Sequence, residues 1–190
     1  MNNLRKIERS KAVAIAVDFQ EKLMPAMEDR EFLEGKTIEL IKGLGILDIP
    51  ILVSQQYTRG LGETVENIKN AIDDFEYVDK TDFSVMGCRE FKSKLEASGR
   101  KQVILFGIEA HICVLQSCID LLKEGYEVYL AADCCSSRSL LDKKFGFERM
   151  CRAGAVVTTC EALLFQILGG AEAQRSEEHT SELQSPSWIS

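Results

Sequence analysis

Three residues of different chemistry stand where apolar runs end: Asp18, Lys80 and Cys113. Asp18 follows the run AVAIAV directly. A carboxylate leaving the end of a buried strand is placed for acid–base work, although the same residue could simply cap the turn that follows. Cys113 lies in FGIEAHICVLQSC, where a helical pattern begins. A thiol at a helix N-terminus faces the positive end of the macrodipole, which lowers its pKa and favours the thiolate. Backbone N–H groups in such a turn can hold an oxyanion. The competing role is a small buried core thiol. Lys80, in VDKTDFS, sits between Asp79 and Asp82, where a solvated ion pair is the plain alternative. Beside Asp18 and Cys113 its ammonium would steady both anions.

Those positions acquire meaning from the elements that carry them. Residues 12–17, 50–54, 102–107, 127–132 and 155–159 read as buried strands, β-branched and apolar on both faces. A weaker strand at 77–79 makes six. Helical patterns fill residues 31–47, 62–72, 88–98, 113–124, 139–152 and 160–168. This alternation predicts an α/β fold: a doubly wound, mostly parallel six-stranded sheet with helices on both faces, Rossmann-like in plan. Such sheets gather chemistry at the carboxyl ends of their strands, so three strand ends meeting on one edge form a candidate active site.

Bulk composition limits the alternatives. The 190 residues suit one domain, expected over 1–170. Residues 171–190 are expected to form a tail without function. From Arg175 onward, RSEEHTSELQSPSWIS lacks apolar periodicity and resembles the translation of a sequencing-library adapter. The net charge of -7 argues against nucleic acid as the main partner. No apolar run is long enough to span a bilayer, and the start of the chain lacks a signal-peptide core, so a cytoplasmic location is expected. Seven cysteines occur at 88, 113, 118, 134, 135, 151 and 160, none with CxxC spacing. A disulfide framework or structural zinc site is therefore not expected.

VDFQ, KTDFS and GIEAHICV together resemble the isochorismatase-like cysteine hydrolases. SQQYTRGLGETV, GIEAHICVLQSCIDLLKEGYEVYLAADCCSSRS and FERMCRAGAVVTTCEALLFQIL extend the resemblance to the isochorismatase-domain-containing subgroup over about residues 10–168. The resemblance implies an Asp–Lys–Cys triad of Asp18, Lys80 and Cys113 in the isochorismatase-like hydrolase fold. Asp18 would take the thiol proton, Lys80 would hold Asp18 and Cys113 electrostatically, and Cys113 would attack an amide, imide or related C–N carbon. It also implies a non-proline cis peptide at Ile108–Glu109, turning the N–H groups of Glu109 and Cys113 toward the substrate oxygen. Phe19, Gln20, Gln56, Tyr57 and Phe83 would line the substrate pocket, and a homo-oligomer is implied. Nicotinamidase-type members carry an Asp and histidines for a metal after the second strand, whereas SQQYTRGLG has no histidine. Neither a metal nor any other cofactor is expected. The partner is a small-molecule substrate; the rival reading is a protein-interaction module with little or no hydrolysis.

Three further features stay open at this level. His111, two residues before Cys113, could form a Cys–His dyad or serve a loop or interface. Asp133, Ser136, Ser137 and Arg138 form either a helix cap with a structural salt bridge or a pocket rim or subunit contact. Vicinal Cys134 and Cys135 could act as a redox pair, although adjacent cysteines close a disulfide only with strain. A redox pairing of Cys113 with Cys118 would place the two about 140° apart on one helix.

Overall fold

The six apolar runs assemble into one parallel sheet in the computed structural model, which describes residues 6–169. The strands are β1 (Ala12–Val17), β2 (Ile51–Gln56), β3 (Tyr77–Lys80), β4 (Gln102–Ile108), β5 (Glu127–Ser136) and β6 (Val156–Thr158). Their spatial order is β3-β2-β1-β4-β5-β6, and every pairing is parallel. All residues of β1 and β4 are buried, as expected for central strands covered on both faces. The expected tail at 171–190 lies outside the described residues.

Among the described residues six α-helices lie between the strands, α1 (Arg30–Ile46), α2 (Thr58–Leu61), α3 (Glu66–Lys69), α4 (Arg89–Ala97), α5 (Leu115–Lys123) and α6 (Leu140–Ala153), and α7 (Cys160–Leu168) follows β6. One layer holds α1 packed on α3 and α7; in the other, α5 packs on α6. The chain winds from β1 toward β2 and β3, then crosses back to β4 on the other side of β1. The winding therefore reverses direction between β1 and β4, the switch point at whose carboxyl ends sheets of this kind place their binding sites.

Two expectations needed correction. The helix read over 62–72 shrinks to the single short helix α3, with α2 lying before it, because Gly62 takes φ 83 between the two and Thr64 bridges to Gln20. β5 continues four residues past 132, through Asp133 and both vicinal cysteines, alongside the extended end of β4. Successive strand residues face opposite sides of the sheet, so Cys134 and Cys135 point apart. Cys134 donates to the Lys36 carbonyl at 3.2 Å, over α1.

Candidate active site

Asp18 leaves β1 in the left-handed region, at φ 55, which Asp tolerates better than most side chains. Its N–H bonds the Ser54 carbonyl of β2 at 3.1 Å, and its carbonyl accepts from the Gln20 N–H at 2.7 Å. This turn directs a fully buried carboxylate across the sheet edge. Oδ1 accepts from the Ser54 hydroxyl at 2.7 Å, and Oδ2 accepts from the Lys80 ammonium at 2.7 Å.

Lys80 is the last residue of β3, an edge strand whose exposure alternates. Tyr77 and Asp79 face out, while Val78 and Lys80 face in. Asp79 therefore does not compete for the ammonium; it accepts instead from the Thr58 N–H and hydroxyl. Besides Asp18, Lys80 Nζ donates to Gln56 Oε1 at 2.7 Å and lies 3.2 and 3.3 Å from the Phe83 and Asp82 carbonyls. A buried charge held by four acceptors is not the solvated pair that its neighbours in sequence suggested.

Cys113 sits in a single wide π-turn, Ala110–Val114, that runs into α5. Such turns are uncommon and often mark functional sites. The residue is 6% exposed, and the charges of Asp18, Lys80 and Glu109 act on its thiol. The helix-start expectation of a lowered pKa does not hold. Burial pushes the thiol up to about 12, with the Asp18 charge adding to the rise and Lys80 opposing it. At neutral pH the group is a thiol beside a base. The structure thus brings Asp18, Lys80 and Cys113 together from three strand ends.

The Ile108–Glu109 peptide is cis, and it leads into the turn that carries Cys113. The Glu109 side chain turns away from Cys113 toward the segment after β5. Its carboxylate accepts from the Arg138 N–H at 3.0 Å and from Arg138 Nε at 3.1 Å, with Nη2 closing a bidentate pair. Burial raises the Glu109 pKa, yet the Arg138 bonds and charge outweigh it and hold the group below the usual carboxylate range. Arg138 thus takes the salt-bridge role left open by the sequence. His111 Nδ1 lies 2.9 Å from the Ser137 hydroxyl, so this ring also ties the Cys113 turn to the end of β5.

The five expected pocket residues separate into two groups. Tyr57 and Phe83 are each 53% exposed on the turns after β2 and β3, at the carboxyl edge. Phe19 lies in the core, its ring centroid 6.0 Å from that of Phe106. Gln20 is buried and bonded to Gln56 backbone and the Gly62 carbonyl. Gln56 turns its amide to Lys80 and, through Nε2, to the Thr81 carbonyl at 2.8 Å. Ser54, as a hydroxyl on Asp18, was not singled out by the sequence. It pairs in register with Val17 of β1, one residue before Asp18, a relationship that only the assembled sheet reveals.

Among the described residues no cluster of three or more His, Cys, Asp or Glu side chains could hold a metal, and no helix is long and apolar enough to cross a membrane.

Residues 12–162 match the model of the isochorismatase domain. The chain is 37% identical over 166 residues to isochorismatase domain-containing protein 1 of Salmo salar, covering 87% of this chain and 58% of that protein. It is 33% identical over 183 residues to isochorismatase domain-containing protein 2 of Xenopus laevis, covering 94% and 87%. The chain thus spans about three fifths of the salmon protein and most of the frog protein. A structure described as the MAR1 ribonuclease of Caenorhabditis elegans superposes with a TM-score of 0.86 at 35% identity, over 95% of this chain and 93% of that one. The YcaC gene product of Escherichia coli, described as an octameric hydrolase of unknown specificity, superposes with a TM-score of 0.86 at 17% identity over the full length of both chains, which establishes the shared fold.

Proposed function

Because this chain belongs to the isochorismatase family, we propose that it is a metal-independent cysteine hydrolase of small amides, imides or related C–N compounds. The observation that carries this is the buried Cys113 thiol lying within the field of the Asp18 carboxylate, itself ion-paired with buried Lys80 at 2.7 Å. Asp18 accepts the thiol proton as Sγ attacks the electrophilic carbon. Lys80 offsets the negative charge that moves between carboxylate and sulfur. The N–H groups of Glu109 and Cys113 receive the developing oxyanion. Collapse breaks the C–N bond, and the departing nitrogen takes the proton from Asp18, leaving an acyl group on sulfur. Asp18 then deprotonates a water that attacks the thioester. The sulfur leaves and recovers that proton, which restores the enzyme.

The hydrolase unit lies within residues 1–170 and acts in the cytoplasm as a homo-oligomer; light scattering of the purified protein checks the last point. RNA is the competing substrate, since the C. elegans relative is described as a ribonuclease. A net charge of -7 and a buried ammonium already shared by four acceptors offer a phosphodiester little purchase. A hydrolysis screen over amides, imides, ureides and single-stranded RNA tests the assignment. Turnover of a C–N substrate that disappears in Cys113→Ala, with an acyl adduct on Cys113 by intact mass, is the expected result. Full turnover by Cys113→Ala would overturn it, and cleavage of RNA alone would move the substrate class.

A further inference from the structure

Gln56 stands at the end of β2, between the strands that deliver Asp18 and Lys80, and its side chain is fixed at both ends. Oε1 receives the Lys80 ammonium at 2.7 Å, while Nε2 donates to the Thr81 carbonyl at 2.8 Å. The amide orientation follows from chemistry: turned over, its NH2 would face an ammonium and its oxygen a carbonyl. The main chain of Gln56 is clamped as well. Its N–H donates to Gln20 Oε1 at 2.7 Å, and its carbonyl accepts from Gln20 Nε2 at 3.1 Å. Gln20 in turn belongs to the turn that begins at Asp18. Asp18, Lys80, Gln56 and Gln20 therefore close a ring of hydrogen bonds that joins the carboxyl ends of β1, β2 and β3.

Granted the hydrolase chemistry above, we infer that Gln56 is a positioning residue: it holds the Lys80 ammonium against Asp18 and Cys113 with a neutral oxygen. The neutrality matters as much as the reach. The ionisable groups whose charge reaches the Cys113 thiol are Asp18 from the end of β1, Lys80 from β3 and, more weakly, Glu109 from its own turn, whose carboxylate points to Arg138. Lys80 is the one cation among these three. A carboxylate in place of the Gln56 amide would claim the same ammonium, leave the site with one more negative charge, and oppose formation of the thiolate. A neutral amide orients the ammonium while leaving its charge to the Asp18–Cys113 pair.

Gln56→Glu is the direct test, because it conserves shape and the bond to Lys80 while changing charge. The readout is the pH profile of Cys113 carbamidomethylation by iodoacetamide, quantified by peptide mass spectrometry on the folded full chain. The expected result is a rising limb displaced to higher pH by about one unit, equivalent to alkylation about tenfold slower at pH 8. An unchanged profile in a folded variant overturns the inference. Gln56→Met, which removes the acceptor without adding charge, guards against failure of the first variant to fold. It is expected to lower kcat about tenfold with KM unchanged, and an unaltered kcat also overturns the inference. Loss of hydrolysis and alkylation at Cys113 are read separately. Full hydrolysis by Cys113→Ala would sink the catalytic assignment while leaving the alkylation result on the Gln56 variant interpretable.

Discussion

Lys80 Nζ lies 2.7 Å from Asp18 Oδ2, and neither side chain has exposed surface. These residues are 62 positions apart, on opposite sides of β2 in the sheet. Burying two charges is expensive, and their attraction offsets the cost only where further hydrogen bonds satisfy both groups. Here Ser54 completes the carboxylate, and Gln56 with two carbonyls completes the ammonium. An arrangement this costly is better explained by chemistry than by stability, since apolar residues of similar volume could fill the space.

Removing one partner should therefore hurt more than removing both. Lys80→Met is expected to destabilise the fold by roughly 3–5 kcal/mol, because it strands the Asp18 carboxylate in the core. The double variant Asp18→Asn/Lys80→Met should recover at least half of that loss. Urea unfolding followed by circular dichroism measures the wild type, Asp18→Asn, Lys80→Met and the double variant. Strictly additive losses would show that the pair is not energetically coupled.

Asp18→Asn separates reactivity from catalysis. The Asp18 charge helps to hold the Cys113 thiol up at about 12, so its removal leaves Lys80 less opposed and brings the thiol pKa down. The rising limb of iodoacetamide alkylation should accordingly move to lower pH. Hydrolysis should nevertheless fall by on the order of 10²–10⁴-fold, because no base remains to accept and return the proton. Alkylation and turnover falling together would argue against Asp18 as the base.

Much of this site was legible because chemistry follows strand ends in a parallel sheet. Asp18 and Lys80 could each be located where an apolar run stops, and Cys113 where a helical pattern begins after the next strand. What escaped was non-local. Gln56 and Ser54 lie in the polar end of β2, and their roles depend on where two side chains from other strands arrive. Phe19 follows Asp18 directly and reads as a pocket residue, but the left-handed turn at Asp18 sends it into the core against Phe106. The Glu109–Arg138 pair spans 29 positions, and nothing in either segment names the other. The helix over 62–72 was read too long because an apolar pattern does not reveal that Gly62 adopts positive φ and that only Glu66–Lys69 is helical.

That pair predicts a stability effect remote from the chemistry. Glu109 is buried while the Arg138 side chain is 60% exposed, so truncating the arginine admits some water but leaves the carboxylate poorly compensated. Arg138→Ala should cost about 2–3 kcal/mol, less than a fully buried pair. The folded Glu109 pKa lies below its unfolded value, so the stabilisation is present above about 4.5 and is lost as pH falls through the folded value. The wild-type advantage over Arg138→Ala in urea should hence shrink on going from pH 7 to acid. A constant difference across that range would contradict the linkage.

Alkaline pH should expose the buried thiols. Cys113, Cys118 and Cys135 are each pushed up to about 12 by burial, against 9.0 for an unhindered thiol. Above about pH 9 the unfolded chain loses these protons while the folded one keeps them, so stability falls as pH rises from 9 toward 12. Each such thiol contributes about 1.4 kcal/mol per pH unit in that window. Cys118→Ala should begin less stable at pH 7 because of the small cavity it leaves, yet decline less steeply between pH 9 and 11. Parallel stability–pH curves for the two proteins would rule out Cys118 as a contributor.

Gly107 tests whether the switch point between β1 and β4 depends on backbone contact. Its φ of 139 is unfavourable for L side chains, and a Cβ there would stand 2.3 Å from the Val17 carbonyl and 2.7 Å from Val17 Cβ. The obstructing atoms include the backbone immediately before Asp18, so no flexible side chain can yield. Gly107→Ala must then push β4 away from β1 just ahead of the Cys113 turn. A loss of at least about 3 kcal/mol is expected in urea unfolding. If the variant is rescued at low temperature, its turnover should fall with the displacement of Cys113 from Asp18, because an ångström of misplacement can cost on the order of 100-fold in rate. Wild-type stability together with wild-type turnover would show that the two strands can separate here without moving the nucleophile.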